Sequence, residues 1–357
     1  MDPARQSAIV PGVRKIAVLR ANLLGDFIFA LPALHALRQA YPTAEITLLG
    51  KSWHVELLAN RPGPIDRVIA IPPVAGVGEE SSGQEDLHEL QSFFQRMQRE
   101  AFDVAIQLHG GGRHSNPFLL GLGAKLAVGS KTPDASALDR WIPYITLQNE
   151  ILRYLEVVTL LGATTTDLVP SLTVTERDRA EAWPVVPHHD QPLVALHPGC
   201  RTLTRRWPPE KFAAVGDALA DAGAFVVVTG TRSERDLVDA VVQGMAHTAL
   251  NLCDRLSIGG LAGLYSRCKL VVANDTGPLH LAGAVGAATV GIYWIGNVIT
   301  AAPPTRTRHR LAISWRIHCP ICGHECTTTQ CEHRPSFVAE VPIEEVLQPA
   351  LDLLALH

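Results

Sequence analysis

The sequence predicts an α/β protein made of two doubly wound parallel sheets. Three features predict it. Short apolar runs rich in β-branched residues alternate with helical patterns. The alternation breaks off in a proline-rich polar stretch and then restarts. The chain has 357 residues, enough for two domains, and 47% of them are hydrophobic, enough to fill a core in each.

In the first half, residues 15–20 (KIAVLR) form the opening strand. A helical pattern over 25–41 carries Leu31, Leu34 and Leu37 on one stripe and ends at Pro42. Strands follow at 45–49 and 67–71, then an exposed loop at 72–86 rich in Gly, Ser and Glu. A helix is expected at 87–100 and a buried strand at 102–108, which runs into the flexible turn His109-Gly110-Gly111-Gly112-Arg113. The break lies in 174–192, where Pro184, Pro187, Pro192 and His188-His189-Asp190 read as a linker. Domains are therefore expected at 1–183 and 184–341. The second half shows strands at 193–197, 224–229, 270–273 and 289–293. Helices are expected at 209–222, 233–245, 258–266, 279–285 and 342–355.

Composition and missing motifs narrow the function. The net charge of -4 gives no basic face for a nucleic-acid partner. No apolar run is long enough to span a bilayer, and the first twelve residues lack a signal-peptide core, so a cytoplasmic setting with reduced thiols is expected. The sequence has no phosphate-binding P-loop, no G-x-G-x-x-G after a strand, no nucleophile elbow and no Asp-x-Asp metal clamp.

Sites in open parallel sheets lie beyond the carboxyl ends of the strands. Four loops there carry unusual chemistry. After the first strand, Gly25 allows a tight turn and Asp26 falls in the first helical turn. Asp26 is either a helix cap, worth about 0.3–1 kcal/mol through the helix dipole, or a general base at the strand edge. The loop from His197 to Pro208 holds Gly199, Arg201, Thr202, Arg205 and Arg206 beside a helix N-terminus, a combination that binds phosphate. In the loop Thr229 to Glu234, the acid Glu234 either caps a helix or accepts hydrogen bonds from ribose hydroxyls. In Asn274-Asp275-Thr276-Gly277-Pro278-Leu279-His280, the backbone N–H groups of Thr276 and Gly277 would point at an anion. Asp275 would fix the loop or contact the transferred sugar. His280 would support a phosphate or be a buried structural histidine.

These motifs resemble glycosyltransferase family 9, the lipopolysaccharide heptosyltransferase family, along nearly the whole chain. The residues that carry the resemblance are the Leu-Gly-Asp ending at Asp26, HPG followed by RRWPPEKF, TGTRSE, and NDTGPLHLAGAVG. The resemblance implies the GT-B architecture, two Rossmann-like domains facing a central cleft. It implies inverting, metal-independent transfer of heptose or a similar sugar from a nucleotide-diphospho-sugar such as ADP-heptose. The acceptor would be a saccharide or a lipid-linked saccharide of the lipopolysaccharide core. Asp26 matches the family's proposed base. Arg205 stands where many members have a phosphate-binding lysine. Asp275, Thr276, Gly277 and His280 match the donor loop, Glu234 matches the acid near the donor ribose, and Arg201 and Thr202 add to the diphosphate contacts. His109, Arg113 and Arg140 are placed toward the acceptor by their position at the strand edge. The segment 342–357 is expected to pack back on the N-terminal domain. Peripheral contact with the inner membrane follows if the acceptor is lipid-linked.

No cofactor is expected for catalysis. The segment 318–333 nevertheless gathers Cys319, Cys322, Cys326 and Cys331. That spacing fits structural zinc, with an iron–sulfur cluster or disulfides after oxidation as alternatives. Two other functions stay open: a GT-B nucleotide-sugar epimerase, which needs no acceptor, and a non-catalytic sugar-nucleotide binding protein, in which Asp26 would be dispensable.

Overall fold

The computed structural model describes residues 8–78, 86–187, 190–327, 329 and 331–356. His188, His189 and most of the expected 72–86 loop tip lie outside the described residues. The chain divides into two compact units, Met1–Pro170 and Ser171–His357.

The first unit runs β1 (Lys15–Leu19), α1 (Leu24–Ala40), β2 (Glu45–Gly50), α2 (Ser52–Leu58), β3 (Arg67–Ala70), α3 (Leu87–Glu100), β4 (Val104–Gln107), α4 (Ser115–Gly121), β5 (Leu126–Lys131), β6 (Arg140–Pro143) and α5 (Glu150–Thr159). The second opens with α6 (Glu176–Ala182) and continues β7 (Leu193–His197), α7 (Pro209–Asp221), β8 (Phe225–Val228), α8 (Arg235–Gly244), β9 (Leu250–Asn251), α9 (Ile258–Tyr265), β10 (Leu270–Asn274), α10 (Gly277–Ala284), β11 (Ala288–Trp294), α11 (Ile295–Ala301), β12 (His309–Ser314) and α12 (Ile343–Ala355).

Each unit folds into one six-stranded parallel sheet. The orders are β3-β2-β1-β4-β5-β6 and β12-β11-β10-β7-β8-β9. Counted within its own unit, each sheet has the order 3-2-1-4-5-6. The apolar strands KIAVL, LVALH and LVVAN are buried on both faces because helices cover both sides. The sequence order reverses between β1 and β4, and again between β7 and β10. The loops after those four strands therefore border the two crevices where such sheets bind ligands.

The expected linker at 174–192 contains a helix. Thr175 caps α6, and α6 packs closely on α9. The close approach depends on the α9 glycines: a Cβ on Gly263 would meet the Asp178 carbonyl oxygen at 2.2 Å, and one on Gly260 would meet the Glu181 side chain at 2.4 Å. Leu172 N–H also bonds Ala284 O at 2.9 Å, so the boundary falls at 170/171, ahead of the expected 183/184.

The last helix also departs from expectation. Val346, Ala350 and Leu353 of α12 are buried with Val215, Val272, Val290 and Ala312 in the second unit's core. Trp207 Nε1 donates to Val341 O at 3.0 Å and fixes the approach. The apolar stripe of α12 is thus buried in the core of its own unit, Ser171–His357, where the sequence reading expects 342–357 to pack back on the N-terminal domain.

Candidate active site

In the first unit, β1 delivers Arg20 and the turn into α1 delivers Asp26. The Arg20 side chain is only 2% exposed, whereas Asp26 is 32% exposed. Arg20 Nη2 lies 3.1 Å from Asp26 Oδ1, and Arg20 Nε donates to Asp26 O at 3.1 Å. Arg20 Nη1 donates to Leu108 O at 2.6 Å, across the switch point. Asp26 Oδ2 accepts the Leu23 N–H at 3.2 Å, so the carboxylate also caps its own helix. Behind the guanidinium lies Tyr154, whose ring centre is 4.8 Å away and whose hydroxyl bonds Glu150.

The glycine turn after β4 is pinned rather than flexible. Gln107 Nε2 donates to the carbonyls of His109 and Gly110 and to Ser115 Oγ, and Ser130 Oγ donates to Gly110 O. Gly112 sits at φ 90°, where a side chain would be strained, and a Cβ there would strike Asn116. His109 Nδ1 accepts the Ala21 N–H at 3.3 Å, which ties the two loops together. Burial, then the nearby Arg20 and Lys51 charges, lower the His109 pKa to about 3. The same influences, burial first, lower His54 to about 3.

Arg113 lies on this turn, largely exposed, 3.9 Å from Asp134. Arg140 is used elsewhere. Its Nη1 donates to Leu160 O just past the C-terminal end of α5, whereas Glu150 and Tyr154 near Arg20 belong to the first half of that helix. Roughly 15 Å of helix separates Glu150 from Leu160. Arg140 therefore satisfies a helix-end carbonyl, which corrects its placement at the ligand edge.

In the second unit, the loops after β7 and β10 meet around Asn274, which is fully buried. Asn274 Nδ2 donates to Pro198 O at 2.7 Å, and Asn274 Oδ1 accepts the Trp207 N–H at 3.0 Å. One side chain thereby ties both ends of the arginine loop to the next strand. Arg205 Nη1 reaches Asp275 Oδ2 at 2.8 Å, and its Nη2 donates to Thr202 Oγ1 at 3.1 Å. Asp275 is 3% exposed, Arg205 29%. His280 Nε2 lies 3.0 Å from Asp275 Oδ1, and Asn297 Nδ2 also donates to this carboxylate. Three side-chain donors converge on the buried Asp275 carboxylate and hold the loop. Thr276 is the N-cap of α10 and Gly277 its first residue; the first backbone donors returned to the helix are Leu279 and His280, both to Thr276 O.

Arg201 is exposed, and Arg206 Nε is committed to Cys200 O at 2.7 Å. Glu234 Oε2 accepts from Thr231 N and Thr231 Oγ1, both at 2.9 Å, so it caps its helix. Its other oxygen presses on Gly199, where a Cβ would lie 2.3 Å from Oε1. Gly199 makes room for this carboxylate. Trp207 is buried against Phe212 and serves packing.

Residues 90–333 match the sequence profile of Glycosyltransferase family 9 (heptosyltransferase). The chain belongs to this family and is a glycosyltransferase. Lipooligosaccharide heptosyltransferase 2 of Haemophilus ducreyi is 21% identical over 301 residues, covering 76% of this chain and 80% of that protein. Two solved structures share the fold. A family 9 glycosyltransferase from Veillonella parvula superposes with a TM-score of 0.78 at 22% identity, covering 96% of this chain and 97% of that one. The ADP-heptose lipopolysaccharide heptosyltransferase II of Escherichia coli superposes with a TM-score of 0.73 at 18% identity, covering 96% and 98%. The architecture is GT-B-like.

The glycosyltransferase carries its cysteine cluster against Phe337, whose N–H donates to Thr204 O of the arginine loop at 2.8 Å. The ligand atoms of Cys319, Cys322, Cys331 and His333 all lie within 4.8 Å of one another. His333 thus stands where Cys326 was expected. The turn carrying Cys326 bonds back through its N–H to Ile317 O at 2.9 Å and buries the thiol beside Phe337 and Cys319. Its sulfur is 3.9 Å from that of Cys331 and donates to His324 O at 3.3 Å. Burial raises the Cys319 pKa, but hydrogen bonds from the backbone of Cys322 and Ile321 and from neighbouring thiols outweigh it and leave that thiol below its ordinary value. All seven cysteines are free thiols.

Sequence reasoning missed Arg20, Asn274 and Asn297 as site residues. An arginine ending a buried strand is the one signal that pointed to Arg20.

Proposed function

We propose that this enzyme transfers a heptose or similar sugar from a nucleotide-diphospho-sugar, ADP-heptose first among donors, to a saccharide hydroxyl of a lipopolysaccharide core. The observation that carries the reading is the Arg205 guanidinium, held on the buried Asp275 beside the N-terminus of α10. A fixed cation next to free first-turn N–H groups is a diphosphate site. Arg205, Thr202, Arg201 and the Thr276 and Gly277 N–H groups bind the donor diphosphate. His280 supports them through Asp275, and Glu234 faces the donor ribose. The first unit binds the acceptor, with His109 and Arg113 at its rim, and supplies Asp26.

In the chemical step the acceptor oxygen attacks the anomeric carbon and its proton passes to the Asp26 carboxylate. The bond from that carbon to the diphosphate oxygen breaks, and the nucleoside diphosphate leaves as an anion. Attack opposite the leaving group inverts the anomeric configuration. Fixed donors meet the leaving-group charge, so the step itself uses no metal.

The cysteine cluster has a structural role in this reading. Zn²⁺ at about 2.3 Å from sulfur needs ligand atoms about 3.8 Å apart, and the four gathered atoms fit such an ion, zinc or iron. Cys319, Cys322, Cys331 and His333 would hold it, and it would brace a segment whose own apolar core is small. The setting is cytoplasmic, at the inner membrane face when the acceptor is lipid-linked; among the described residues no helix is long and apolar enough to cross a membrane.

A thermal-shift screen against ADP-, GDP-, UDP- and dTDP-sugars tests the donor, followed by transfer from ADP-heptose to heptose-deficient lipopolysaccharide. Stabilisation by an ADP-sugar and a product of inverted configuration support the reading. Donor conversion without an acceptor, or no transfer at all, would falsify it.

A further inference from the structure

Arg20 has no assigned part in the reaction, yet its placement is expensive. Sequestering a guanidinium from water costs several kcal/mol unless its donors are met, and buried ion pairs are poor stabilising devices. Helix α1 does not need it either, because the Leu23 N–H already completes the cap with Asp26 Oδ2. What Arg20 does achieve is geometric. It grips one residue twice, through the backbone oxygen and the side chain of Asp26, and anchors that grip on Leu108 O beyond the neighbouring strand. The Tyr154 ring closes the space behind the guanidinium. Each Asp26 oxygen then has one donor within the protein, Arg20 for Oδ1 and Leu23 for Oδ2. The carboxylate is held in a single orientation while about a third of it stays open to solvent.

We propose that Arg20 is a positioning residue for glycosyl transfer: it touches neither donor nor acceptor and acts by fixing the Asp26 carboxylate at the switch point of the first sheet. The inference rests on Asp26 being the base. It follows that removing Arg20 slows the chemical step without weakening the donor site, which is built in the second unit from other residues.

The test compares Arg20→Met, Arg20→Lys, Asp26→Asn and the Arg20→Met/Asp26→Asn pair, using ADP-heptose and heptose-deficient lipopolysaccharide. Arg20→Met is expected to lower kcat about 100-fold, the scale of a 1 Å misplacement, while the KM for ADP-heptose stays within about threefold. Arg20→Lys keeps the charge without the fork and is expected to recover about tenfold of that loss. The pair is expected to be no slower than Asp26→Asn alone, because both changes disable one group. Should Arg20→Met fail to fold, the Lys variant decides, with an expected drop of about tenfold in kcat at unchanged KM and unchanged thermal midpoint. Full kcat in Arg20→Met, or in Arg20→Lys where that variant decides, with Asp26→Asn inactive, overturns the positioning role and leaves the base in place. An active Asp26→Asn removes the base and this inference with it. Absence of transfer by the unsubstituted enzyme overturns the proposed function and everything built on it.

Discussion

The two switch points carry the same ion pair inside out. Beside β1, the arginine is buried at 2% exposure and its aspartate is open at 32%. Beside β7 and β10, the aspartate is buried at 3% and its arginine is open at 29%. Both sheets have one strand order and one kind of loop at the same place. What differs is which partner faces solvent, and that sets the chemistry on offer. An exposed carboxylate on a buried cation suits proton transfer; an exposed guanidinium on a buried anion suits phosphate. The buried member serves as the orienting group in each case.

The sharpest way to break this comparison is Arg205→Met. It is expected to raise the Kd for ADP about 100-fold, measured by calorimetry, because a charge-assisted donor to the diphosphate is lost. Arg20→Met is expected to leave the same Kd unmoved; equal effects would erase the contrast. Next in size is Asn274→Ala, which strands Pro198 O and the Trp207 N–H in a buried place. A loss of about 2–3 kcal/mol in urea unfolding is expected, whereas Thr202→Ala, at a half-buried position, should cost far less.

The third prediction concerns pH. His54 and His109 are held neutral, with folded pKa values of about 3 against about 6.5 unfolded. The unfolded chain therefore binds more protons between those values. The stabilisation is present above pH 6.5 and is lost progressively as pH falls toward 3. Each histidine is expected to cost about 1.4 kcal/mol between pH 7.5 and 5.5, and His54→Phe should remove its share of the slope. A flat stability profile across that range contradicts the neutral pair. The smallest effect is Gly199→Ala, which displaces the Glu234 carboxylate and is expected to weaken ADP binding by about 0.5–1.5 kcal/mol. An unchanged Kd would reduce Glu234 to its capping role.

Much of this was readable in the chain before folding was considered. The strands at 193–197, 45–49 and 270–273 announced themselves as apolar runs, and the glycines and charges after them marked the loops. The charged segment ERDRAEA of α6 did not read as structure, because its helix is justified by a facing row of glycines in α9 about 80 residues later. Arg140 looked like a site residue because strand-edge position is legible, while the direction of a long side chain is not. Cys326 counted as a ligand by spacing, whereas the fold gathers His333 with Cys319, Cys322 and Cys331 and leaves the Cys326 sulfur 3.9 Å from that of Cys331.

By itself the sequence determined the alternation of strands and helices, the doubly wound class, and the loops where Asp26, Arg205 and Asp275 stand, since these follow from local periodicity and composition. Only the tertiary structure decided which member of each Arg–Asp pair is buried, which helix covers which sheet, and which four atoms gather near Cys319. Burial is set by neighbours remote in the chain, Leu108 and Tyr154 around Arg20, Arg205 and Asn297 around Asp275, and no local pattern encodes their approach.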